Sequence, residues 1–178
     1  MTTPHHSDSH TPPPRAGGRP GRFRRTLVAV GATAALVGGV GAASAVTDQG
    51  DRHRAIVTPD APAAIGPYSQ GINAGNLTFV SGQLPIDPKT GAIPAGASIE
   101  DQTRQALRNV EAVLKAEGMS AKHVVSTTVY VADLDDFARL NAVYAEFFNS
   151  SAPPARATVE VARLPRDAKV EISAIAVR

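Results

Sequence analysis

Eight consecutive residues, Val124 to Val131 (VVSTTVYV), are β-branched at six positions and carry no charge. Branching at Cβ stiffens the side chain and disfavours helix, and a run apolar enough to be covered on both faces reads as a strand inside a sheet. The sequence closes on a second strand, Lys169 to Val177. There Val170, Ile172, Ala174 and Ala176 point one way, and Glu171, Ser173, Ile175 and Val177 point the other. Glu171 is therefore a carboxylate among mostly apolar neighbours on the less hydrophobic face, a candidate for a group in a partly buried cleft. Pattern alone favours a plainer role for it, an ion pair or a solvated position at the sheet edge.

Two helices are expected between these strands. Ser98 to Glu117 has Ser98 as N-cap with Asp101 three residues on, and Ile99, Thr103, Ala106, Val110, Val113 and Leu114 share one face. Gly118 stops it. Asp133 caps the second, Leu134 to Phe148, with Phe137, Leu140, Tyr144 and Phe147 on its buried side. Leu77–Ser81 after the Ala74-Gly75-Asn76 turn, and Ala157–Val161, supply further strands. Two strands, helix, strand, helix and two strands make an α/β domain: a sheet with both helices on one face. The other face must be wetted or buried, and subunit association is the natural way to bury it.

The charge is divided unevenly over the 178 residues. Residues 1–45 hold five arginines against Asp8, a net +4, whereas 46–178 hold 13 Lys or Arg against 15 Asp or Glu, a net −2. A nucleic-acid-binding domain is disfavoured, because the basic character lies outside the folded part. The absence of cysteine excludes disulfides, thiolate zinc sites and a cysteine nucleophile.

Residues 1–22 are rich in Pro, His, Ser and Arg and are expected to be disordered. Arg24-Arg25-Thr26-Leu27-Val28 then leads into an uncharged, Ala- and Gly-rich run to Val46, with Ala43-Ser44-Ala45 as a small-x-small cleavage pattern. This arrangement resembles a twin-arginine export signal. The expectation is cleavage after Ala45 and a secreted or extracytoplasmic domain. The alternative is an uncleaved membrane anchor; both place the domain outside the cytoplasmic membrane, since the arginines precede the apolar run. Contact with the membrane is then transient through the signal, or lasting through the anchor. Residues 46–60 read as a polar linker and 61–178 as one domain.

Several stretches together resemble one family. They are Ala61-Pro-Ala-Ala-Ile-Gly-Pro-Tyr-Ser-Gln70, Ser81-Gly-Gln-Leu-Pro85, Val129-Tyr-Val-Ala-Asp-Leu-Asp-Asp-Phe137, Asn141, Pro154-Ala-Arg156, and the long close from Val159 to Val177. Their order and spacing are similar to those of the RidA (YjgF) imine/enamine deaminases. The resemblance implies a chorismate-mutase-like fold with a mixed sheet, assembled as a homotrimer with sites at subunit interfaces. It implies hydrolysis of 2-imino or enamine acids, such as 2-aminoacrylate or 2-iminobutanoate, to 2-keto acids and ammonia without a metal or organic cofactor.

It also implies residue roles. Arg156 matches the carboxylate-binding arginine, a task suited to a planar guanidinium with two parallel N–H donors. Glu171 would position and activate water as general base. Tyr68 lines the cleft, and Ser81 and Gly82 contact substrate partly through backbone donors. Asn141 is either a substrate contact or a structural and trimer contact. Thr158 stands where many members carry Cys, Ser173 where several carry a second Glu, and the segment between Phe148 and Pro154 is short for the family. An alternative function for the same cleft is an exported, non-catalytic ligand-binding or chaperone-like trimer.

Overall fold

The computed structural model describes residues 53–149 and 152–178. The basic leader, the cleavage pattern and the apolar run at 27–46 lie outside the described residues. Within them the chain forms six strands and two α-helices: β1 Arg54–Ile56, β2 Gly71–Ala74, β3 Leu77–Gln83, α1 Ile99–Lys115, β4 Val124–Val131, α2 Phe137–Phe147, β5 Ala155–Glu160 and β6 Val170–Val177. The sheet order is β1-β2-β3-β6-β4-β5. All neighbours are antiparallel except β4 and β5, which run parallel because α2 carries the chain from one to the other. The mixed sheet with two helices agrees with the expected fold class.

The two strands that open the sequence argument lie side by side in the sheet interior, with Tyr130 opposite Glu171 and Val129 opposite Ile172. Val170, Ile172, Ala174 and Ala176 are all buried beneath the helices, and Glu171, Ser173, Ile175 and Val177 are half-buried on the open face. Helix α1 packs on β3 and β6 and against α2. Its expected face, Ile99, Thr103, Ala106, Val110, Val113 and Leu114, is fully buried, and the Ser98 hydroxyl accepts from the Asp101 backbone N–H. Gly118 adopts a left-handed φ of 67° where the helix ends.

Four expectations need correction. Within the stretch expected to be a linker, Arg54–Ile56 pairs with β2 and Ile56 is buried in the core. Asp133 caps a short 3-10 turn, Leu134–Asp136, through the Asp135 N–H, and the α-helix proper begins at Phe137. Phe137 is 38% exposed and Phe147 half-buried, whereas Val143 joins Leu140 and Tyr144 in the buried row. Helix α2 lies toward the β5 edge of the sheet, so its first turn reaches past the packed core. Strand β5 also begins two residues earlier than expected, at Ala155.

Candidate active site

Glu171 owes its position to two neighbours. Strand pleating turns its side chain onto the face away from the helices, and a bulge in β3 makes room for it. The β3–β6 register passes from Val80 opposite Ala174 to Gln83 opposite Ile172, so Ser81 and Gly82 form the irregular step. A Cβ added at Gly82 would stand 1.8 Å from Glu171 Oε1. Glycine at this position therefore admits the carboxylate. Burial pushes the Glu171 carboxyl pKa up, because the charged form loses hydration. Among the described residues no side chain forms an ion pair with it.

Glu171 faces a cleft of about 420 Å³ lined by Ile65, Tyr68, Ser81, Gly82, Leu84 and Pro165. A second hollow, about 350 Å³, shares Gly82, Pro165 and Glu171 with the first and extends toward Tyr130, Arg163 and Ser173. The walls are fixed from behind. The Ser81 hydroxyl donates to the Ser69 carbonyl at 2.7 Å, and the Tyr68 hydroxyl accepts from the Ile65 N–H at 3.2 Å. Buried Gln70 accepts from Thr58 N–H and donates to the carbonyls of Thr58, Ala61 and Pro62, tying the segment before Tyr68 to β2. Asn109 on α1 donates to the carbonyls of Leu84 and Ile86, which anchors the chain leaving β3. Opposite them Pro165 rides on a turn in which Arg166 and Asp167 have φ of 57° and 53°, a costly conformation for residues with a Cβ. Leu164 and Ala168 brace that turn by packing with Leu84 and Ile86.

Arg156 lies elsewhere. It sits on β5 opposite Thr127, whose hydroxyl is 2.7 Å from that of Tyr144 on α2, so both Thr127 and Arg156 face the helices. The Arg156 guanidinium carbon lies 4.4 Å from the Tyr144 ring centroid and 5.7 Å from that of Phe137. Among the described residues no carboxylate forms an ion pair with Arg156, which leaves an exposed cation held against aromatic rings. Thr158, two residues on along the same face of β5, has a buried hydroxyl with no hydrogen-bond partner. Asn141 is half-buried on α2, four residues after Phe137 and three before Tyr144, and so shares their stripe. Thus one chain brings Tyr68, Ser81, Gly82 and Glu171 together on the open face. It places Arg156, Thr158 and Asn141 on the other.

With this geometry in view, the sequence model of the family described as Endoribonuclease L-PSP matches residues 58–178. The chain belongs to this family. It is 53% identical over 127 residues to the 2-iminobutanoate/2-iminopropanoate deaminase of Escherichia coli K12, covering 70% of this chain and 98% of that protein. Among solved structures it is similar to the YjgF gene product of E. coli, with TM-score 0.67 and 53% identity over 70% of this chain and 98% of that one. It is also similar to E. coli TdcF with bound serine, with TM-score 0.67 and 49% identity over 70% and 98% of the two chains.

Several features of this L-PSP-family chain escape sequence reasoning. Gln70 and Asn109 look like ordinary polar residues until the backbone carbonyls that they satisfy are seen. The contact of Arg156 with Tyr144 and Phe137 joins residues 12 and 19 positions apart across α2 and β5, which no local pattern reports. Among the described residues no group of three or more His, Asp or Glu side chains converges as metal ligands.

Proposed function

We propose that this L-PSP-family chain is a deaminase that hydrolyses 2-imino acids, and the enamines that tautomerise to them, to 2-keto acids and ammonia. The observation that carries the reading is its likeness to a named deaminase over nearly that protein's whole length. The unpaired, half-buried carboxylate in the cleft agrees with it. Serine, the ligand in the TdcF structure, presents a carboxylate beside a nitrogen-bearing carbon, as an imino acid does.

Glu171 takes a proton from water as the water oxygen bonds to C2 of the imine, and returns that proton to the nitrogen. The adduct carries hydroxyl and amino groups on C2. Its collapse forms the ketone, breaks the C–N bond and moves the hydroxyl proton to the departing ammonia. A raised pKa makes Glu171 a stronger base than an ordinary carboxylate once it is ionised. Tyr68 and the Ser81–Gly82 backbone border the reacting carbon, and Arg156 holds the substrate carboxylate with Thr158 and Asn141 beside it. Because Arg156 and Glu171 occupy opposite faces of one sheet, the working site joins two copies, in a homotrimer with clefts at the subunit interfaces. Phe79 and Val159, both more than 40% exposed on the open sheet face, support that assembly. The substrate is a small molecule rather than nucleic acid, in keeping with the negative charge of residues 46–178.

The test is keto-acid release from freshly generated 2-iminobutanoate and 2-aminoacrylate, compared with the spontaneous rate. Acceleration in the parent and its loss in Arg156→Ala are expected. No acceleration would leave a non-catalytic trimer as the better description, and full activity in Arg156→Ala would refute the carboxylate-binding role of Arg156. The Arg24-Arg25 pair and the Ala43-Ser44-Ala45 pattern support export of the domain. Mass analysis of the protein from its host should find Val46 at the N-terminus, and a Met1-containing form in the soluble cytoplasmic fraction would refute export.

A further inference from the structure

We infer that Tyr144, secured by Thr127, is the residue that positions the Arg156 guanidinium for its carboxylate ligand. The inference rests on the carboxylate-binding role proposed above for Arg156 and explains how that role is built.

An arginine on an exposed edge strand has many rotamers and would lose much conformational freedom on gripping a ligand. Arg156 is exposed on the edge strand β5, yet its guanidinium is not left to wander. It lies over the ring of Tyr144, with Phe137 from the previous turns of α2 on a second side. Tyr144 is itself 6% exposed, and its ring meets Phe148 at 4.6 Å between centroids. Its hydroxyl is bound to that of Thr127, which is 2% exposed and is the direct register partner of Arg156 on β4. The three residues close a triangle. Strand pairing fixes the arginine backbone against Thr127, Thr127 fixes the tyrosine, and the tyrosine ring fixes the arginine head. An aromatic ring offers the guanidinium no carboxylate or carbonyl acceptor, so the N–H groups stay available to clasp a ligand carboxylate in two parallel bonds. An acidic partner would have immobilised Arg156 equally well while occupying those donors. An aromatic one supplies the constraint and leaves the charge for the ligand.

The measurement uses the full-length protein, titrated with 2-oxobutanoate by calorimetry and assayed for kcat and KM on 2-iminobutanoate. Tyr144→Met, which fills the space without a ring, should weaken 2-oxobutanoate binding and raise KM by about tenfold, with kcat within about threefold. Tyr144→Phe keeps the ring and should stay within about threefold of the parent in both. Binding in Tyr144→Met as tight as in the parent overturns the inference, as does a Phe variant as impaired as the Met variant. If Tyr144→Met does not fold, Phe137→Met at the exposed ring should still weaken binding about twofold to threefold, and an unchanged affinity there is equally fatal. Arg156→Ala separates the two layers. If it binds 2-oxobutanoate normally, the role of Arg156 fails, whereas its loss of binding beside an unaffected Tyr144→Met refutes the positioning role alone.

Discussion

Gly82 and Glu171 form the closest coupling in the cleft, and each sets a requirement on the other. With 1.8 Å between an added Cβ and Glu171 Oε1, Gly82→Ala must drive the carboxylate out of its place. The variant is expected to fold, since the clash is with the end of a flexible side chain, and to lose about 10²-fold or more of its turnover. Steady-state assay beside a thermal melt checks both halves. Glu171 also carries a sign that can be worked out. Burial raises its pKa, so the folded state holds the proton more tightly than the unfolded chain. Between the ordinary carboxylate pKa and the raised one, folding is linked to proton uptake, and stability falls as pH rises. Glu171→Gln should therefore be more stable than the parent at neutral pH and less so relative to it in acid. In the proposed role of general base, Glu171 works only when ionised. The acid limb of kcat/KM should then lie above the normal carboxylate range, and a limb at or below that range would count against the assignment.

Strands and helices differ in how plainly their sequences announce them. Strand β6 was readable from the sequence because burial on one face and a cleft on the other impose strict alternation, and Glu171 falls on the cleft side as expected. Helix α1 was readable because its cap and its whole apolar stripe are local. Strand β1 was not: Arg54, Ala55 and Ile56 sit in polar surroundings, and their partners come from far along the chain. Arg54 binds Glu117, a carboxylate whose side chain is 2% exposed and which also accepts from Asn73. Ile56 enters the core beside Gly71, whose missing Cβ leaves room for it and Val113. If β1 belongs to the domain, Ile56→Ala should cost about 2–5 kcal/mol by denaturant titration, the range for truncating a fully buried isoleucine. A linker residue would cost almost nothing. The bulge that seats Gly82 was hidden for another reason, because a one-residue slip in register changes no residue type. Phe137 misled because it is apolar and correctly spaced, yet at the sheet edge it meets an arginine rather than the core.

For the molecule as a unit, the sheet separates the groups that the proposed chemistry combines. Tyr68, Ser81, Gly82 and Glu171 line one face; Arg156, Thr158 and Asn141 occupy the other, and no rotamer change carries Arg156 through a packed sheet. Family resemblance supplied the list of site residues, but the division between faces comes only from the register of β4, β5 and β6. On the proposed chemistry a site that needs both groups draws them from two copies, which would make assembly a condition of activity. Subunit exchange tests that directly. Arg156→Ala and Glu171→Gln, each inactive alone, are unfolded together, refolded as mixed trimers and assayed, with mixing confirmed by native mass spectrometry. If every site takes its arginine from one subunit and its glutamate from another, random mixing leaves about a quarter of the sites with both groups intact, and about a quarter of parental activity should return. Mixed trimers that stay inactive would contradict a site shared between subunits.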